Sequence, residues 1–491
     1  MTSTPIIAWL GRFKQFGQPF SRSKQSTGLD YWAEHPQLLP SFVQQSPVAH
    51  RYLELLGPLP WTDFPQRDTH LNGYDQPMPY TAFAAICLVK LDQHLVSMGH
   101  LRQYLVDHPA LLWLLGFPLI PEAKLPWGFN TEASLPTQRH LTRMLRQIPN
   151  AFFQILLDST VRLIQAELDE LGLQLGECIA MDTKHILAWV KQNNPKAYLK
   201  SSERYDKTRQ PAGDPDCRLG CKRRHNQRAS AKEPPPTPAD NPLPANTISV
   251  GEYYWGYASG VVATKIPGWG EVVLAELTQP FDQPDVSYFY PLMAATERRL
   301  GFRPKFAALD AAFDAFYIYE YFHSDDHNGF AAIPFSDRGG YKRSFDAHGL
   351  PLCQAGLAMP LKYTFQTKTT LFEHQRGRYV CPLLFPAPTG QTCPIDHKQW
   401  PKGGCTTTMA TAIGARLRYQ LDRESETYKQ LYNQRTANER INSQAVDLGI
   451  ERPKLRNGQA IANINTLIYV LINLRTLQRI RQRKADQRLQ G

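Results

Sequence analysis

Three residues near the C-terminal end of the chain have the types and spacing for phosphodiester chemistry. Tyr432, Arg435 and Glu439 are three and four positions apart, within a run from Ser425 to Asp447 that contains no Gly or Pro. This spacing puts the three side chains on one face of a predicted helix. A carboxylate can bind a metal ion and a guanidinium can bind a phosphate, so the trio suits an enzyme that acts on phosphodiesters. An ordinary amphipathic helix with an Arg435–Glu439 ion pair explains the same spacing.

Two aspartates further upstream end predicted strands. Asp182 closes the segment GECIAMD, and Asp310 closes the segment KFAALD. The carboxyl ends of strands in an open α/β sheet face the ligand crevice, so neighbouring strands would bring these aspartates together, and a helix beside them could add Glu439. Three such carboxylates suit two Mg²⁺ ions about 3.5–4 Å apart, with Mn²⁺ as a substitute. The alternative for each aspartate is a turn or a helix cap.

The elements that must position these carboxylates divide the chain into four predicted parts. Residues 1–172 form an apolar helical region, and residues 173–334 carry short β-rich runs that then alternate with helices. A basic, Pro-rich excursion at 200–246 interrupts this second part. Residues 335–410 form a loop-rich and short-stranded insertion that contains cysteines, and residues 411–491 carry the Glu439 helix and a closing basic helix. The layout predicts an α/β fold with a mixed sheet flanked by helices.

Composition and charge indicate a globular protein with a polyanionic partner. The chain has 491 residues, 42% of them hydrophobic, and its apolar runs are too short to predict a membrane span. With no basic and apolar leader at the start, we expect a cytoplasmic protein without membrane partners. The net charge of the chain is +11. Residues 200–232 contain ten Lys/Arg and four Asp/Glu, and residues 475–491 contain six Lys/Arg and one Asp/Glu. These two segments therefore account for the whole net positive charge. Nucleic acid is the commonest partner of such charge, and a solvated charge run is the alternative.

Two basic segments are candidates for contacts with DNA. The first contains Lys222, Arg223 and Arg224 within the basic, Pro-rich excursion. The second is a short predicted helix that follows Thr137, a candidate N-cap, and carries Arg139 and Arg143. The surface of a helical bundle explains the second segment equally well.

Eight cysteines in a chain of this length do not predict a disulfide scaffold. Cys353, Cys381, Cys393 and Cys405 fall in one loop-rich stretch and could bind a structural zinc ion, although they lack close CxxC pairs. Cys217, Cys221 and His225 form a weaker candidate group. Scattered, reduced thiols are the alternative for both groups.

The ordered set of acidic residues resembles the bacterial insertion-sequence transposases that have a ribonuclease-H-like DDE catalytic domain. The matching segments are IAMDTKH around Asp182, FAALDAAFDAF around Asp310, and YNQRTANER from Tyr432 to Arg440. The last segment is similar to the subgroup with the signature Tyr-x2-Arg-x3-Glu-x6-Lys. Position 446 is Val instead of the Lys of that signature, and Lys454 in the following loop is a candidate substitute.

The resemblance implies a fold, an activity and roles for individual residues. HPALLWLLGF and LPTQRHLTRMLRQIP look like the helical region that precedes the catalytic domain, and GYASGVVAT and LAELTQP look like its second and third strands. Asp182, Asp310 and Glu439 would be the catalytic carboxylates, with Asp314 as the rival to Asp310. Arg435 would bind a phosphate and Tyr432 the DNA backbone.

The implied activity is metal-dependent DNA cleavage and strand transfer at the ends of a mobile element in the bacterial nucleoid. The implied partners are double-stranded DNA, both terminal inverted repeats and target, and a second copy of the chain. An inactive transposase-derived DNA-binding protein and a related metal-dependent nuclease are the alternatives.

Overall fold

The N-terminal part of the protein is a bundle of helices. The computed structural model describes residues 28–66, 78–221, 253–323, 329–336, 342–369, 371–395 and 397–490. The helices of the first part are α1 Leu29–Glu34, α2 Ser41–Gln44, α3 Pro47–Leu56, α4 Tyr80–Asp92, α5 Met98–Asp107, α6 Pro109–Leu114, α7 Thr131–Ser134, α8 Gln138–Gln147 and α9 Asn150–Asp169. Strands β1 Ile120–Pro121 and β2 Phe129–Asn130 form a small antiparallel pair between α6 and α7.

Helix capping explains where several of these helices begin. The side chains of Ser46, Ser97 and Thr137 accept hydrogen bonds from backbone N–H groups in the first turns of α3, α5 and α8. Each of these bonds satisfies one of the N–H groups that a helix leaves unpaired at its start. The predicted N-cap role of Thr137 is therefore confirmed.

A mixed six-stranded sheet follows the helical bundle. Its strands are β3 Cys178–Leu187, β4 Arg218–Cys221, β5 Tyr253–Ile266, β6 Gly270–Pro280, β7 Phe306–Leu309 and β8 Phe330–Ala332. The order is β4-β5-β3-β7-β8, and β6 also pairs with β5. β5 runs antiparallel to β3, β4 and β6, whereas β7 is parallel to β3 and β8 is parallel to β7. The predicted mixed α/β fold is confirmed at this level.

Helices cover both faces of the sheet. The helices of this part are the short α10 (Ser201–Arg204), α11 (Phe289–Leu300) and α12 (Phe316–Phe322). Along β3, Ile179 and Met181 belong to the core that includes residues of α11 and α12. Ala180 and Ile186 belong to the larger core, which also contains residues of the N-terminal helices. This alternation is the period of two that a strand imposes. Asp182 has the same parity as Ala180, so it lies on the face of the larger core.

The predicted insertion contains a small antiparallel sheet, and a third, small core lies between this sheet and Ala415. Strands β9 Leu361–Lys368, β10 Glu373–Val380 and β11 Thr406–Ala410 pair in the order β11-β10-β9. Four short elements of the C-terminal part come next: α13 Gly414–Gln420, α14 Glu426–Tyr432, a 3₁₀ turn Asn433–Arg435, and α15 Thr436–Asp447.

The last helix, α16 (Gly458–Gln490), is the predicted closing helix and is the centre of the larger core. It is long and apolar enough to cross a membrane, but 89% of its most apolar window is buried inside the protein. Asn473 binds the edge strand β6: its Oδ1 accepts from the Val273 N–H at 2.8 Å and its Nδ2 donates to the Val273 carbonyl at 2.8 Å. These bonds satisfy backbone groups that an edge strand would otherwise leave open.

Candidate active site

Parallel pairing of β3 and β7 brings two aspartates together. Met181 lies opposite Leu309 in the register, so Asp182 and Asp310 follow on adjacent strands. Asp310 stands directly after β7, where its carboxylate caps a 3₁₀ turn by accepting from the Ala312 N–H at 2.8 Å. Asp182 does not end its strand as predicted. β3 continues to Leu187 because the polar segment after Asp182 pairs residue by residue with β5.

The two carboxyl groups hold protons more tightly than ordinary aspartates. Burial, together with the nearby charge of Asp310, raises the pKa of Asp182 to about 7. Burial also raises the pKa of Asp310, and the Arg435 guanidinium offsets part of this increase. Carboxylates that are both buried and close to one another attract cations, since a cation removes their repulsion.

The trio Tyr432, Arg435 and Glu439 is assembled beside this pair. The predicted single helix is broken: Tyr432 ends α14, Arg435 lies in the 3₁₀ turn, and Glu439 is in the first turn of α15. The Arg435 guanidinium lies 2.5 Å from the Glu439 carboxylate and 5.9 Å from the centroid of the Tyr432 ring. Burial raises the pKa of the Tyr432 phenol, and the charge of Asp310 raises it further. A tight turn inside a helix is common at functional sites.

The carboxylates of Asp182 and Asp310 suit a divalent cation, but the third carboxylate, that of Glu439, is not arranged with them. Asp182 and Asp310 are adjacent hard oxygen donors of the kind that Mg²⁺ prefers. Glu439 is half exposed and bound to Arg435. Across the described ranges, no group of three or more His, Cys, Asp or Glu side chains is arranged to hold a metal ion. Two carboxylates are therefore in position, and Glu439 would join them only by leaving its ion pair.

Two further residues of the site were missed from the sequence. Asn442, one turn after Glu439, donates to the Asp182 carboxylate at 3.1 Å and so ties α15 to the aspartate pair. Asp285 accepts from the Thr183 hydroxyl at 2.9 Å, and burial and the charge of Asp310 raise its pKa. Asp285 begins the 3₁₀ helix Asp285–Tyr288, directly after the polar segment DQP. The composition of that segment indicates a surface loop and carries no sign of this contact.

Asp314, the rival to Asp310, is a structural residue. Its carboxylate accepts from the Arg418 guanidinium at 2.5 and 2.7 Å, from the Tyr319 hydroxyl at 2.8 Å and from the Ser336 N–H at 2.8 Å. The side chain is fully buried. Four hydrogen bonds use all the lone pairs of the carboxylate, so Asp314 has none left for a cation.

The predicted DNA contacts differ in their surroundings. Arg139 and Arg143 lie on the exposed face of α8, opposite its buried Leu141, Met144 and Leu145. Lys222, Arg223 and Arg224 lie outside the described residues. In the C-terminal basic window, the protein's own acids pair with the cations: Arg475 with Asp92, Arg481 with Glu167, and Lys484 with Glu167 and Glu170. These pairs reduce the charge that the window can offer to DNA.

Three of the four predicted zinc ligands lie close together. Cys405 precedes β11 and Cys381 follows β10, so their strands bring them together, and the Cys405 thiol also contacts Cys353. Burial and the two neighbouring thiols raise the pKa of Cys405 to about 12. All eight cysteines are free. Zinc at these cysteines, with Cys393 as the fourth ligand, stays a prediction.

A pH-dependent stability follows from the buried Asp182. Its raised pKa means that the folded protein keeps a proton that the unfolded chain releases above about pH 4. The stabilising effect is complete below about pH 4 and is lost as the pH rises through about 7. Asp182→Asn cannot ionise, so in EDTA we expect it to be more stable than the wild type near pH 8, on the order of 1–3 kcal/mol, and similar near pH 4. Urea unfolding at both pH values measures this, and an equal difference at both would show that Asp182 titrates normally.

The chain was also compared with known proteins. It matches no protein-family model and no curated protein sequence. The geometry of the residues described above is therefore the evidence for a function.

Proposed function

We propose that this chain is a metal-dependent DNA transposase of the DDE type. The observation that carries the proposal is the placement of Asp182 and Asp310 on adjacent parallel strands, with Tyr432, Arg435 and Glu439 packed beside them. These five residues are those that the resemblance matches to the transposase signature. They come from three distant parts of the sequence, so their meeting is a property of the fold.

We further infer that the sheet is ribonuclease-H-like. The segments matched to the second and third strands of the family's catalytic domain are β5 and β6, which form a long antiparallel pair next to β3. The strand that ends before Asp310 lies on the other side of β3 and runs parallel to it. Helices on both faces complete an arrangement that agrees with the expected layout.

Each residue of the site has a distinct task in this proposal. Asp182 and Asp310, joined by Glu439, would hold Mg²⁺ or Mn²⁺, which when bound activates the attacking oxygen and stabilises the leaving oxygen. Arg435 is a guanidinium 2.5 Å from a half-exposed carboxylate, so a DNA phosphate can compete for it. That exchange would release Glu439 toward the aspartates. Asn442 keeps α15 in place beside Asp182.

The surroundings of the site supply a path for DNA. Lys454, the proposed substitute for the signature lysine, lies in the loop between α15 and α16 and lines a cavity together with Gln138 and Thr142 of α8. Arg139 and Arg143 are on the exposed side of the same helix. Basic residues spread over this surface would hold the phosphates of a duplex without reading its sequence. Action on two element ends makes a homodimer the expected active form, in a cytoplasmic protein bound to the nucleoid.

The experiment that tests the proposal is a cleavage and strand-transfer assay with Mg²⁺ or Mn²⁺ on DNA that carries the ends of the element encoding this chain. We expect the wild type to nick the ends and join them to target DNA. The double variant Asp182→Asn/Asp310→Asn should bind DNA and yield neither product. Cleavage without joining would indicate the metal-dependent nuclease. A wild type that binds DNA but is as inert as the variant would indicate the DNA-binding remnant.

The fourth acidic residue, Asp285, should tune the affinity for the cation. Burial is the main cause of the raised pKa of Asp182, and the charge of Asp285 adds to it. Burial and the charge of Asp310 raise the pKa of Asp285 itself, so Asp285 shares the negative potential of the site. In Asp285→Asn we expect the Mg²⁺ concentration for half-maximal cleavage to rise roughly three- to tenfold. The matched control is Asp282→Asn, at an exposed aspartate three residues before Asp285. Calorimetric titration of Mg²⁺ gives a readout that does not depend on activity, and equal affinities in the two variants would contradict the prediction.

A further inference from the structure

A basic pocket with an exposed tryptophan lies beyond the C-terminal end of β3. Its volume is about 450 Å³, and it is formed by residues 187–195 and by the loop that joins α15 to α16. Trp189 is 50% exposed, and the Lys454 ammonium lies 5.9 Å from the centroid of its ring. Lys191, Arg452 and Arg456 also line the pocket. The described residues that line it include no acid.

The backbone around Trp189 is held from several sides. The Ala188 N–H donates to the Trp255 carbonyl at 3.0 Å, and the Asn193 amide donates to the carbonyls of both Ala188 and Trp255, at 2.8 and 2.7 Å. Arg456 Nε donates to the Trp189 carbonyl at 3.3 Å. The indole is thus presented to solvent from a fixed backbone, which lowers the entropy cost of using it as a contact surface.

The chemistry of the pocket matches one nucleotide. An indole face stacks on a nucleobase, and guanidinium groups bind phosphate through charge-assisted hydrogen bonds. The absence of acids among the described lining residues favours an anionic ligand. Bases inside a duplex already stack on their neighbours, so only an unpaired nucleotide offers a free face. We propose that this pocket binds an unpaired nucleotide of a DNA strand, with Trp189 stacked on the base and Arg452 and Arg456 at the phosphate.

That the anionic ligand is DNA rests on the proposed function. The fold connects the pocket to the proposed catalytic carboxylates. Lys184, two residues after Asp182, forms an ion pair with Glu451 at 2.6 Å, and the Leu187 N–H donates to the Glu451 carbonyl at 2.8 Å. The pocket loop is therefore fastened to the strand that carries Asp182. Seven residues separate Asp182 from Trp189, which is at most about 24 Å of extended chain and about seven nucleotide steps at 3.4 Å each. A strand cleaved at Asp182 could reach Trp189 over that distance.

The test compares two DNAs that differ only in an unpaired end. Fluorescence anisotropy measures the binding of a duplex with a short single-stranded overhang and of the same duplex fully paired. Trp189→Ala should weaken binding to the overhang DNA about tenfold, as expected for the loss of one stacked base, and leave the paired duplex within about twofold. Trp189→Phe should keep most of the affinity for the overhang, because it retains a ring. Arg452→Gln/Arg456→Gln should also weaken overhang binding and reduce its salt dependence.

A base analogue gives a local readout, and a distant aromatic gives a control. The fluorescence of 2-aminopurine in the overhang should be quenched by the wild type and by Trp189→Phe but not by Trp189→Ala. Tyr363→Ala removes an aromatic of similar exposure, 53%, from β9 and should behave as the wild type. Equal loss on both DNAs, or no loss in Trp189→Ala, would overturn the pocket proposal and leave the transposase proposal standing. Failure of the wild type to bind either DNA would overturn both.

Discussion

Asp310→Asn is expected to reduce DNA cleavage at least about a thousandfold while the protein stays folded. In the proposed reaction the side chain at position 310 would lose the negative charge with which it would hold a divalent cation. The fold should tolerate the change because Asn is also a good cap and can still accept from the Ala312 N–H. Burial raises the pKa of Asp310, so the neutral amide also removes a charge that is costly to bury. Product formation on labelled DNA measures the activity, and thermal unfolding measures the fold.

Asp314→Asn, in contrast to Asp310→Asn, is expected to lower the stability of the folded protein. An amide has one oxygen where the carboxylate has two, and its NH₂ group would face the donors of Arg418 and Ser336. Breaking a buried ion pair by removing one partner costs about 3–5 kcal/mol, because the other charge is left without compensation. For a chain of 491 residues the entropy of unfolding is about 1 kcal/mol/K, so we expect the melting temperature to fall by roughly 3–5 °C.

The two variants serve as controls for each other. They change neighbouring aspartates in the same way, so a general effect of removing an acid from this segment would appear in both. A folded, inactive Asp314→Asn together with an active Asp310→Asn would reverse the assignment of the second catalytic aspartate. Cleavage by Asp314→Asn is measured well below its melting temperature, so that the loss of fold does not imitate a loss of chemistry.

Much of the site could be predicted because its carboxylates follow apolar runs typical of strands or have the spacing of one helix face. The apolar run before Asp310 predicts a strand that ends there, and the spacing of Arg435 and Glu439 predicts their contact, which forms at 2.5 Å. The apolar run before Asp182 predicted a strand end in the wrong place, because β3 continues through a polar segment that β5 pairs with. Apolar patterns locate the buried part of a strand and not the extent of its pairing.

The rest of the site depends on contacts between distant residues. The choice between Asp310 and Asp314 required Arg418, which is 104 positions from Asp314 and pairs with it through the packing of α13 on α12. Asp285 contacts Thr183 across 102 positions, and Asn442 contacts Asp182 across 260. The 3₁₀ turn between α14 and α15 also lacks a local signal, because the sequence there contains no Gly or Pro. Trp189 was overlooked because a lone tryptophan after a strand predicts core packing as readily as exposure.

The position of α16 in the sequence affects how the protein can be made. The ribosome synthesises this helix after the bundle and the sheet that pack around it, so neither can complete its hydrophobic core during most of translation. Until α16 is synthesised, the apolar surfaces of the earlier segments stay exposed to solvent. The nascent chain is therefore prone to aggregation and to binding by chaperones. A message cut before the codon for Gly458 would yield a chain without its central helix, unable to fold into a shorter version of the same protein. The complete fold, and with it the proposed activity, should therefore appear only once α16 has left the ribosome.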